Sequence, residues 1–266
     1  MKAKKTKVNN ESVSMYQEER QKKILKYVNE NKKISVKELS ELLDTSVVTI
    51  RSDISKLQDK GLLIRSHGGV MANSYKIDDV IPSDVKFQKH KNEKKKIAAM
   101  ATTFIEDGDI IIIDSGSTTL ELAKKITQKN LTVFTNDLQI AIELSKRKNI
   151  KLIVSGGILI SGVYTLTGSE AVNLFKNIHA KKLFISCDAY DKDFGISNRD
   201  TREVEIKKAM LQAVDKKYLL IDSSKLNQKV MAKVADIDTF DYFICDEISN
   251  ELREIIETSG VTVVTE

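Results

Sequence analysis

The stretch 34–69 constrains the fold of this chain more than any other. Ser35 is followed three residues later by Glu38, which is the spacing of a capping box at the start of a helix. Apolar residues then recur at helical spacing, which predicts one buried stripe. This stripe would consist of Val36, Leu39, Leu42 and Leu43.

A second helix is predicted to follow at a tight corner, with Ser46 as its N-cap. Ile50, Ile54 and Leu57 would face inward, and the opposite face would be free to touch a partner. After Lys60-Gly61, a short strand and a turn indicate a small β-hairpin. Two helices followed by such a wing match a helix-turn-helix, whose second helix lies in the DNA major groove. A generic helical hairpin packed in a larger domain would fit the spacing equally well.

If this segment binds DNA, its exposed side chains have definite tasks. Valine methyl groups can meet thymine methyl groups, while hydroxyl and guanidinium groups can bond base edges or phosphates. The net positive charge of the chain comes from the same region, because residues 1–74 carry 15 Lys and Arg against 9 Asp and Glu, and the remainder 28 against 29. Such an excess favours electrostatic binding to nucleic acid. The candidate DNA contacts are Ser46, Val47, Val48, Thr49, Arg51, Ser52, Lys56, Arg65, His67 and Gly68.

Residues 20–70 resemble the winged helix-turn-helix of DeoR-type bacterial transcription regulators. The resemblance is carried by Arg20-Gln21-Lys22-Lys23-Ile24-Leu25, Val36-x-x-Leu39, Ser46-x-x-Thr49-Ile50-Arg51-x-Asp53-Ile54-x-x-Leu57 and Gly61-Leu62-x-x-Arg65-x-His67-Gly68-Gly69. One position departs from the family pattern, which usually has two successive arginines after the isoleucine. The second of these is Ser52 here.

Composition excludes several other classes of protein. The two cysteines, Cys187 and Cys245, end apolar runs and are expected to be buried thiols in a reducing compartment. The three histidines are far apart without partners at metal-ligand spacing, so we expect neither a metal site nor a cofactor. No apolar run is long enough to cross a membrane, and a cytoplasmic protein without membrane contact is expected. Residues 1–15 are predicted to be a disordered basic tail.

Beyond residue 83 the pattern changes to short apolar runs that alternate with amphipathic helices. A long first helix is predicted from residue 84, with Ile97, Ala101, Phe104 and Ile105 facing inward. Strands are predicted at 110–113, 131–134, 151–154, 182–186, 218–221, 242–245 and 261–264, and helices near 118–127, 138–147, 169–177, 200–214 and 249–258. Continuous apolar strands between helices predict an α/β fold with a mostly parallel sheet covered on both faces.

Ligands of such sheets bind beyond the carboxyl ends of the strands. The segment 114–119, Asp-Ser-Gly-Ser-Thr-Thr, follows the first strand and opens a helix, an arrangement that suits an anion. An ordinary N-cap would explain the same residues. Glu203 and Lys207 are four residues apart on a helix and would equally form a surface pair, whereas Lys225 in a polar loop suits a phosphate.

Residues 84–264 also resemble the effector domain of the DeoR-type regulators. That domain is similar in fold to ribose-5-phosphate isomerase, and in the regulators it senses phosphorylated sugars. The resemblance implies that Gly116, Ser117, Thr118 and Thr119 hold the phosphate, and that Asp188, Glu203, Lys207 and Lys225 line the sugar end. Asp188 is flanked by Cys187 and Ala189, where the family commonly has glycines. The full set of candidate effector ligands adds Asp114, Asn136, Gly156, Gly157 and Ser197.

These observations predict a winged helix-turn-helix at 16–72, a linker at 73–83 and an effector-binding domain at 84–266. The leading hypothesis is a transcriptional regulator, a repressor of a carbohydrate operon, that binds double-stranded operator DNA as a homo-oligomer (dimer or tetramer) under control of a sugar phosphate. The first alternative is a sugar-phosphate isomerase or lyase with an accessory DNA-binding domain, in which carboxylates and Lys225 would supply acid–base groups. The second alternative is a nucleic-acid binder whose second domain is purely structural.

Overall fold

The structure is a computed structural model that describes residues 17–31, 33–59, 63–66, 69–72, 83–160 and 162–266. The chain divides into two compact units, Met1–Ser74 and Tyr75–Glu266. The predicted tail 1–15, residues 73–82 of the predicted linker, and His67 and Gly68 of the predicted wing lie outside the described residues.

The first unit contains three helices and a small antiparallel sheet. The elements in chain order are α1 (Gln17–Asn31), β1 (Lys33–Ser35), α2 (Val36–Leu42), α3 (Val47–Asp59), β2 (Leu63–Ser66) and β3 (Gly69–Ala72), and the strand order is β1-β3-β2. The predicted capping box is confirmed, because Ser35 Oγ accepts from Glu38 N at 3.1 Å and Ser35 N donates to Glu38 Oε2 at 2.7 Å. The strand β1 was not predicted, and it pairs with β3 of the hairpin.

The core of this unit corrects one predicted position. Leu39 and Leu43 are buried on α2 as predicted, together with Ile50, Ile54 and Leu57 of α3, but Leu42 is 53% exposed. Leu39 and Leu43 are four residues apart and so lie on one face, whereas Leu42 points about 100° away from Leu43 around the helix. The short helix α2 therefore buries a narrower stripe than the sequence pattern suggested.

The second unit is built on a seven-stranded sheet with helices on both faces. Its helices are α4 (Ser83–Gln88), α5 (Lys91–Thr102), α6 (Ser117–Lys125), α7 (Leu138–Ser145), α8 (Ser169–Lys176), α9 (Thr201–Gln212) and α10 (Asn250–Thr258). The sheet consists of β4 (Ile110–Ile113), β5 (Leu131–Thr135), β6 (Ile150–Val154), β9 (Ala180–Ile185), β12 (Val214–Ile221), β14 (Tyr242–Cys245) and β15 (Thr262–Val264). These strands lie in the order β15-β14-β12-β9-β4-β5-β6, and every pair is parallel.

Alternating side chains of the sheet supply two separate cores, as the continuous apolar strands predicted. Ile111 and Ile113 face one core with residues of α5, α6 and α7, while Ile112 faces the other with residues of α8, α9 and α10. Two smaller sheets were not predicted. They are the pair β7 (Ile158–Leu159) and β8 (Leu166–Thr167), and the set β10 (Ala189–Asp191), β11 (Gly195–Asn198) and β13 (Ala232–Ala235).

The predicted long helix from residue 84 is wrong, because the structure breaks it in two. His90 adopts a left-handed backbone conformation with φ of 50°, and it separates α4 from α5. The second helix ends at Thr102, so Phe104 lies beyond it in a turn and is only half-buried, whereas Ile97, Ala101 and Ile105 are buried. Among the residues that the structure describes, no helix is long and apolar enough to span a membrane.

Candidate functional sites

The solvent-facing side of α3 is the first candidate site. Ser46 Oγ accepts a hydrogen bond from Thr49 N at 3.2 Å and so caps the helix as predicted. Val48 is 76% exposed, and Arg51, Ser52 and Lys56 are also exposed, while Val47 and Thr49 are half-buried. The candidate contacts on α3 therefore remain accessible to a partner.

The opposite side of α3 is tied to α1 by a buried carboxylate. Asp53, which is 1% exposed, accepts from Arg20 Nε at 2.5 Å and from Gln21 Nε2 at 3.1 Å. A charged residue that is paired in this way fixes the angle between two helices, because any shift would leave the carboxylate unpaired. Asp53 belongs to the sequence signature, and the structure assigns it to packing.

Arg65 of β2 is exposed but also contacts α3. Its Nη2 atom donates to the backbone carbonyl oxygen of Arg51 at 3.2 Å and to Ser55 Oγ at 3.1 Å. The strand and the helix thereby place two arginines on neighbouring positions of one surface. Exposed arginine side chains are suited to phosphate or base recognition.

The second candidate site is a cavity at the carboxyl ends of β4 and β9. Its volume is about 30 Å³, room for a water molecule but far below the several hundred Å³ typical of small-molecule sites. Of the predicted effector ligands, six line its wall: Gly116, Ser117, Asp188, Glu203, Lys207 and Lys225. Eight further lining residues were not among the candidate ligands: Ser83, Lys86, Ser115, Val163, Thr165, Ser186, Cys187 and Asn198.

The N-terminus of α6 forms one wall of this cavity. Gly116 is the N-cap and supplies no side-chain cap, and the first helical hydrogen bond runs from Leu120 N to Gly116 O at 2.9 Å. The amides of Ser117, Thr118 and Thr119 therefore have no acceptor within the helix. Amides without an acceptor, together with the helix dipole, favour the binding of an anion.

Two ion pairs, one buried and one partly buried, lie beside this helix terminus. Lys207 Nζ donates to Asp114 Oδ2 and to the Ser186 carbonyl oxygen, the latter at 2.9 Å. Lys86 Nζ lies 2.8 Å from Asp188 Oδ1, and Arg199 Nη1 lies 3.4 Å from the same oxygen. Burial by itself would raise the pKa of the Asp188 carboxyl, but the charges of Lys86 and Arg199 outweigh it and hold that pKa well below its usual range.

Glu203 and Lys225 complete the polar wall. Asn198 Nδ2 donates to Glu203 Oε2 at 2.6 Å, and burial raises the pKa of the Glu203 carboxyl. Lys225 Nζ donates to the Cys187 carbonyl oxygen at 2.8 Å. The open alternative of a surface pair between Glu203 and Lys207 is wrong, because both are buried and each has a different partner.

The remaining candidate ligands lie behind the cavity wall. Asn136 Oδ1 accepts from Ser115 N at 3.0 Å, and Thr119 Oγ1 donates to the Gly116 carbonyl oxygen at 2.9 Å. The buried Thr118 hydroxyl has no hydrogen-bond partner among the described residues. Ser197 Oγ accepts from Val230 N at 3.2 Å, and so it supports the next loop.

Gly156 and Gly157 are exposed and are not among the residues that line the cavity. A Cβ on Gly157 would lie 2.3 Å from the Thr167 carbonyl oxygen, so this glycine allows β7 to approach β8 closely. Cys187 and Cys245 are buried free thiols, as expected. In the described part of the chain, no group of three or more His, Cys, Asp or Glu side chains is placed to hold a metal ion.

Comparisons with known proteins identify both regions. Residues 20–76 match the model of the DeoR-like helix-turn-helix domain, and residues 89–247 match that of the DeoR C terminal sensor domain. The chain belongs to the DeoR family of transcriptional regulators. As a member of this family it is a DNA-binding regulator and not an enzyme, which rules out the isomerase or lyase alternative.

Relatives match over nearly the whole chain. HTH-type transcriptional regulator GolR of Listeria innocua is 33% identical over 94% of this chain and 98% of its own length. The L-fucose operon activator of Haemophilus influenzae is 32% identical over 91% and 97%. Among solved structures, ribose 5-phosphate isomerase A of Methanocaldococcus jannaschii aligns over 51% of this chain and 54% of its own, with 14% identity and a TM-score of 0.37. A similarity at this level says nothing about function.

Proposed function

We propose that this DeoR-family regulator represses an operon for the uptake or breakdown of a carbohydrate, and that a phosphorylated sugar bound in the cavity controls its affinity for the operator. Residues 16–72 would bind DNA and residues 84–266 would bind the effector. The observation that carries the effector assignment is the uncapped N-terminus of α6 next to Lys86 and Lys225.

The chemistry of the cavity divides between the two ends of such a ligand. Free amides at α6 and the two ammonium groups favour a phosphate, whose charge they would neutralise. Asp188 and Glu203 are carboxylates on the same wall, and carboxylates accept hydrogen bonds from sugar hydroxyls. A sugar phosphate has a dianionic group for the amides and ammonium groups, and hydroxyl groups for the carboxylates. The name of the Haemophilus influenzae relative, an L-fucose operon activator, supports a carbohydrate operon.

The exposed face of α3 supports operator binding by more than one copy. A single recognition helix reads only a few base pairs, so useful specificity requires two half-sites and a symmetric oligomer. We therefore propose that a dimer or tetramer binds an operator with two-fold symmetry. A ligand then changes operator affinity only to the extent that it prefers one arrangement of the protomers.

The test begins with DNA that the full-length protein selects from a random library, bound at fixed salt and measured by fluorescence anisotropy. Ribose 5-phosphate, fructose 6-phosphate, glyceraldehyde 3-phosphate and inorganic phosphate are then added in turn. At least one sugar phosphate is expected to weaken operator binding about fivefold or more and to raise the thermal unfolding temperature. If none of these compounds changes either quantity, the proposed effector class is wrong.

Variants separate the two sites in the same assay. Ser117→Ala and Lys225→Ala should bind the selected DNA as the unmodified protein does but lose the response to the sugar phosphate. Lys192→Ala, which removes an exposed lysine of the same unit, should keep both properties. A normal response in both cavity variants would place the ligand elsewhere. Size-exclusion chromatography with light scattering tests the oligomer, and a monomeric complex with DNA would contradict it.

A further inference from the structure

The helix α4 closes the cavity with a charged side chain from outside the sheet. Lys86 reaches from α4 to Asp188, 102 residues later in the chain, and Ser83 at the start of α4 also lines the cavity. Since the cavity has a volume of only about 30 Å³, a sugar phosphate requires one of its walls to move. The walls formed by α6, β4 and β9 supply fully buried residues of the packed core, whereas α4 contributes only the partly buried Phe87 among its described side chains.

The described side chains show contacts at both ends of α4. Ser83 N donates to the Gly162 carbonyl oxygen at 2.9 Å, and the ring of Phe87 stacks on that of Tyr164 at 6.5 Å between centroids. At the other end, Lys94 Nζ donates to the carbonyl oxygens of Lys86 at 2.5 Å and Lys89 at 2.6 Å. A helix of six residues fixed mainly at its ends can be displaced without unfolding the sheet.

The break after α4 provides a place for such a movement. His90 has φ of 50° and ψ of 43°, and it separates α4 from α5, one face of which is buried in the core. A left-handed residue between two short helices can absorb a change in backbone angles, as hinge residues do. Among the described helices, α4 is also the first after the region matched by the DNA-binding family model, which ends at residue 76.

We propose that α4 couples the cavity to the DNA-binding unit, and that Lys86 is the residue through which it senses a ligand. The proposal rests on the proposed function for the identity of the ligand. An anionic ligand competes with Asp188 for the ammonium group of Lys86, so the ion pair is exchanged and α4 shifts. Lys86 would therefore contact the ligand directly, whereas its effect on DNA binding would be indirect, through the position of α4.

The decisive experiment needs no ligand. In Lys86→Ala the ion pair to Asp188 is lost, and we expect the backbone amides of α4 to exchange hydrogen for deuterium about tenfold faster than in the unmodified protein. Operator affinity for the selected DNA should change about fivefold or more. Lys91→Ala, which removes an exposed lysine of α5, should leave both quantities unchanged.

Two further variants protect the test against simple misfolding. Lys86→Gln removes the charge but keeps a polar hydrogen-bond donor on a shorter side chain, and Asp188→Asn breaks the same pair while the sequence of α4 stays intact. Each should change operator affinity in the same direction, and the double variant should change it no further than either single variant. Operator affinities equal to that of the unmodified protein in Lys86→Ala and Lys86→Gln would overturn the proposal.

Its failure is distinguishable from failure of the proposed function. If no sugar phosphate affects the unmodified protein but the Lys86 variants still change α4 exchange and operator affinity, the coupling stands and the effector class is wrong. If a sugar phosphate acts normally on Lys86→Gln, the effector stands and α4 is not the coupling element.

Discussion

Lys207 of α9 donates a hydrogen bond to Asp114, the residue that follows β4, although the two residues are 93 positions apart. Their side chains are 3% and 1% exposed. Asp114 also accepts from Ser186 N at 3.2 Å, and Lys207 donates to the Ser186 carbonyl oxygen. One buried ion pair thus joins the carboxyl ends of β4 and β9 to the helix that covers them.

This geometry predicts a large loss of stability in Lys207→Met. The substitution leaves the Asp114 carboxylate buried without its counter-charge, which typically costs about 3–5 kcal/mol. The free energy of unfolding, measured by urea titration with circular dichroism, should fall by that amount. The double variant Asp114→Asn with Lys207→Met removes both charges and should recover much of the loss.

Lys181 offers a matched control for this prediction. Its ammonium group pairs with Asp109 at 2.9 Å, but the side chain is 53% exposed and Asp109 keeps Lys182 as a partner. Lys181→Met should therefore cost less than about 1 kcal/mol. Equal losses for Lys181→Met and Lys207→Met would contradict the role assigned to burial.

The exposed face of α3 predicts the effect of Arg51→Ala on DNA binding. Its side chain is exposed while its carbonyl oxygen accepts a hydrogen bond from Arg65, so the substitution would remove the proposed DNA contact without disturbing the backbone. Affinity for the selected operator should fall by about 1–3 kcal/mol at fixed salt. Lys26→Ala on α1 removes the same charge from an exposed position and should have a much smaller effect. Unchanged operator affinity in Arg51→Ala would mean that this face of α3 does not contact DNA.

The sequence predicted the parallel sheet well because its signal is local. Strands β4 and β14 have the predicted bounds, since each is a continuous apolar run between turn residues. The strands β7 and β8 have two residues each, too few to produce a recognisable alternation. The break at His90 was missed for a related reason, because the helical spacing of apolar residues continues beyond it and histidine gives no signal for a left-handed backbone.

The cavity was predicted only in part, since its ion pairs join distant segments. Nothing near Lys86 in the sequence distinguishes it from a surface lysine, and its partner Asp188 lies 102 residues later in the chain. Glu203 and Lys207 were open to interpretation as a surface pair because helical spacing does not reveal what covers a helix. Burial is a tertiary property, and it decided both cases.

The two neighbouring glycines after β6 provide a third prediction. Both have positive φ, but an added Cβ at Gly157 would lie 2.3 Å from the Thr167 carbonyl oxygen, whereas at Gly156 nothing lies within 4 Å. Gly157→Ala should thus cost more than about 3 kcal/mol of unfolding free energy, and Gly156→Ala about 1 kcal/mol from backbone strain alone. Equal costs would contradict the close approach of β7 and β8. If Gly156→Ala responds normally to the sugar phosphate, Gly156 is not an effector ligand.

The buried ammonium group of Lys94 predicts a dependence of stability on pH. Burial, together with the positive charge of Lys225, lowers the pKa of Lys94 from its ordinary value of 10.5 to about 7. Between these two values the unfolded chain binds more protons at this group than the folded chain does. Stability therefore rises with pH over that window, by up to about 1.4 kcal/mol per pH unit.

Comparison with Lys94→Met isolates this contribution, because methionine does not titrate. The unfolding free energy of the unmodified protein minus that of the variant should increase by about 2 kcal/mol from pH 7 to pH 9. Below pH 7 the difference should become constant, since the group is then protonated in both states. Lys95→Met, at an exposed position of the same helix, should give a curve parallel to that of the unmodified protein. A parallel curve for Lys94→Met as well would mean that Lys94 keeps an ordinary pKa in the folded protein.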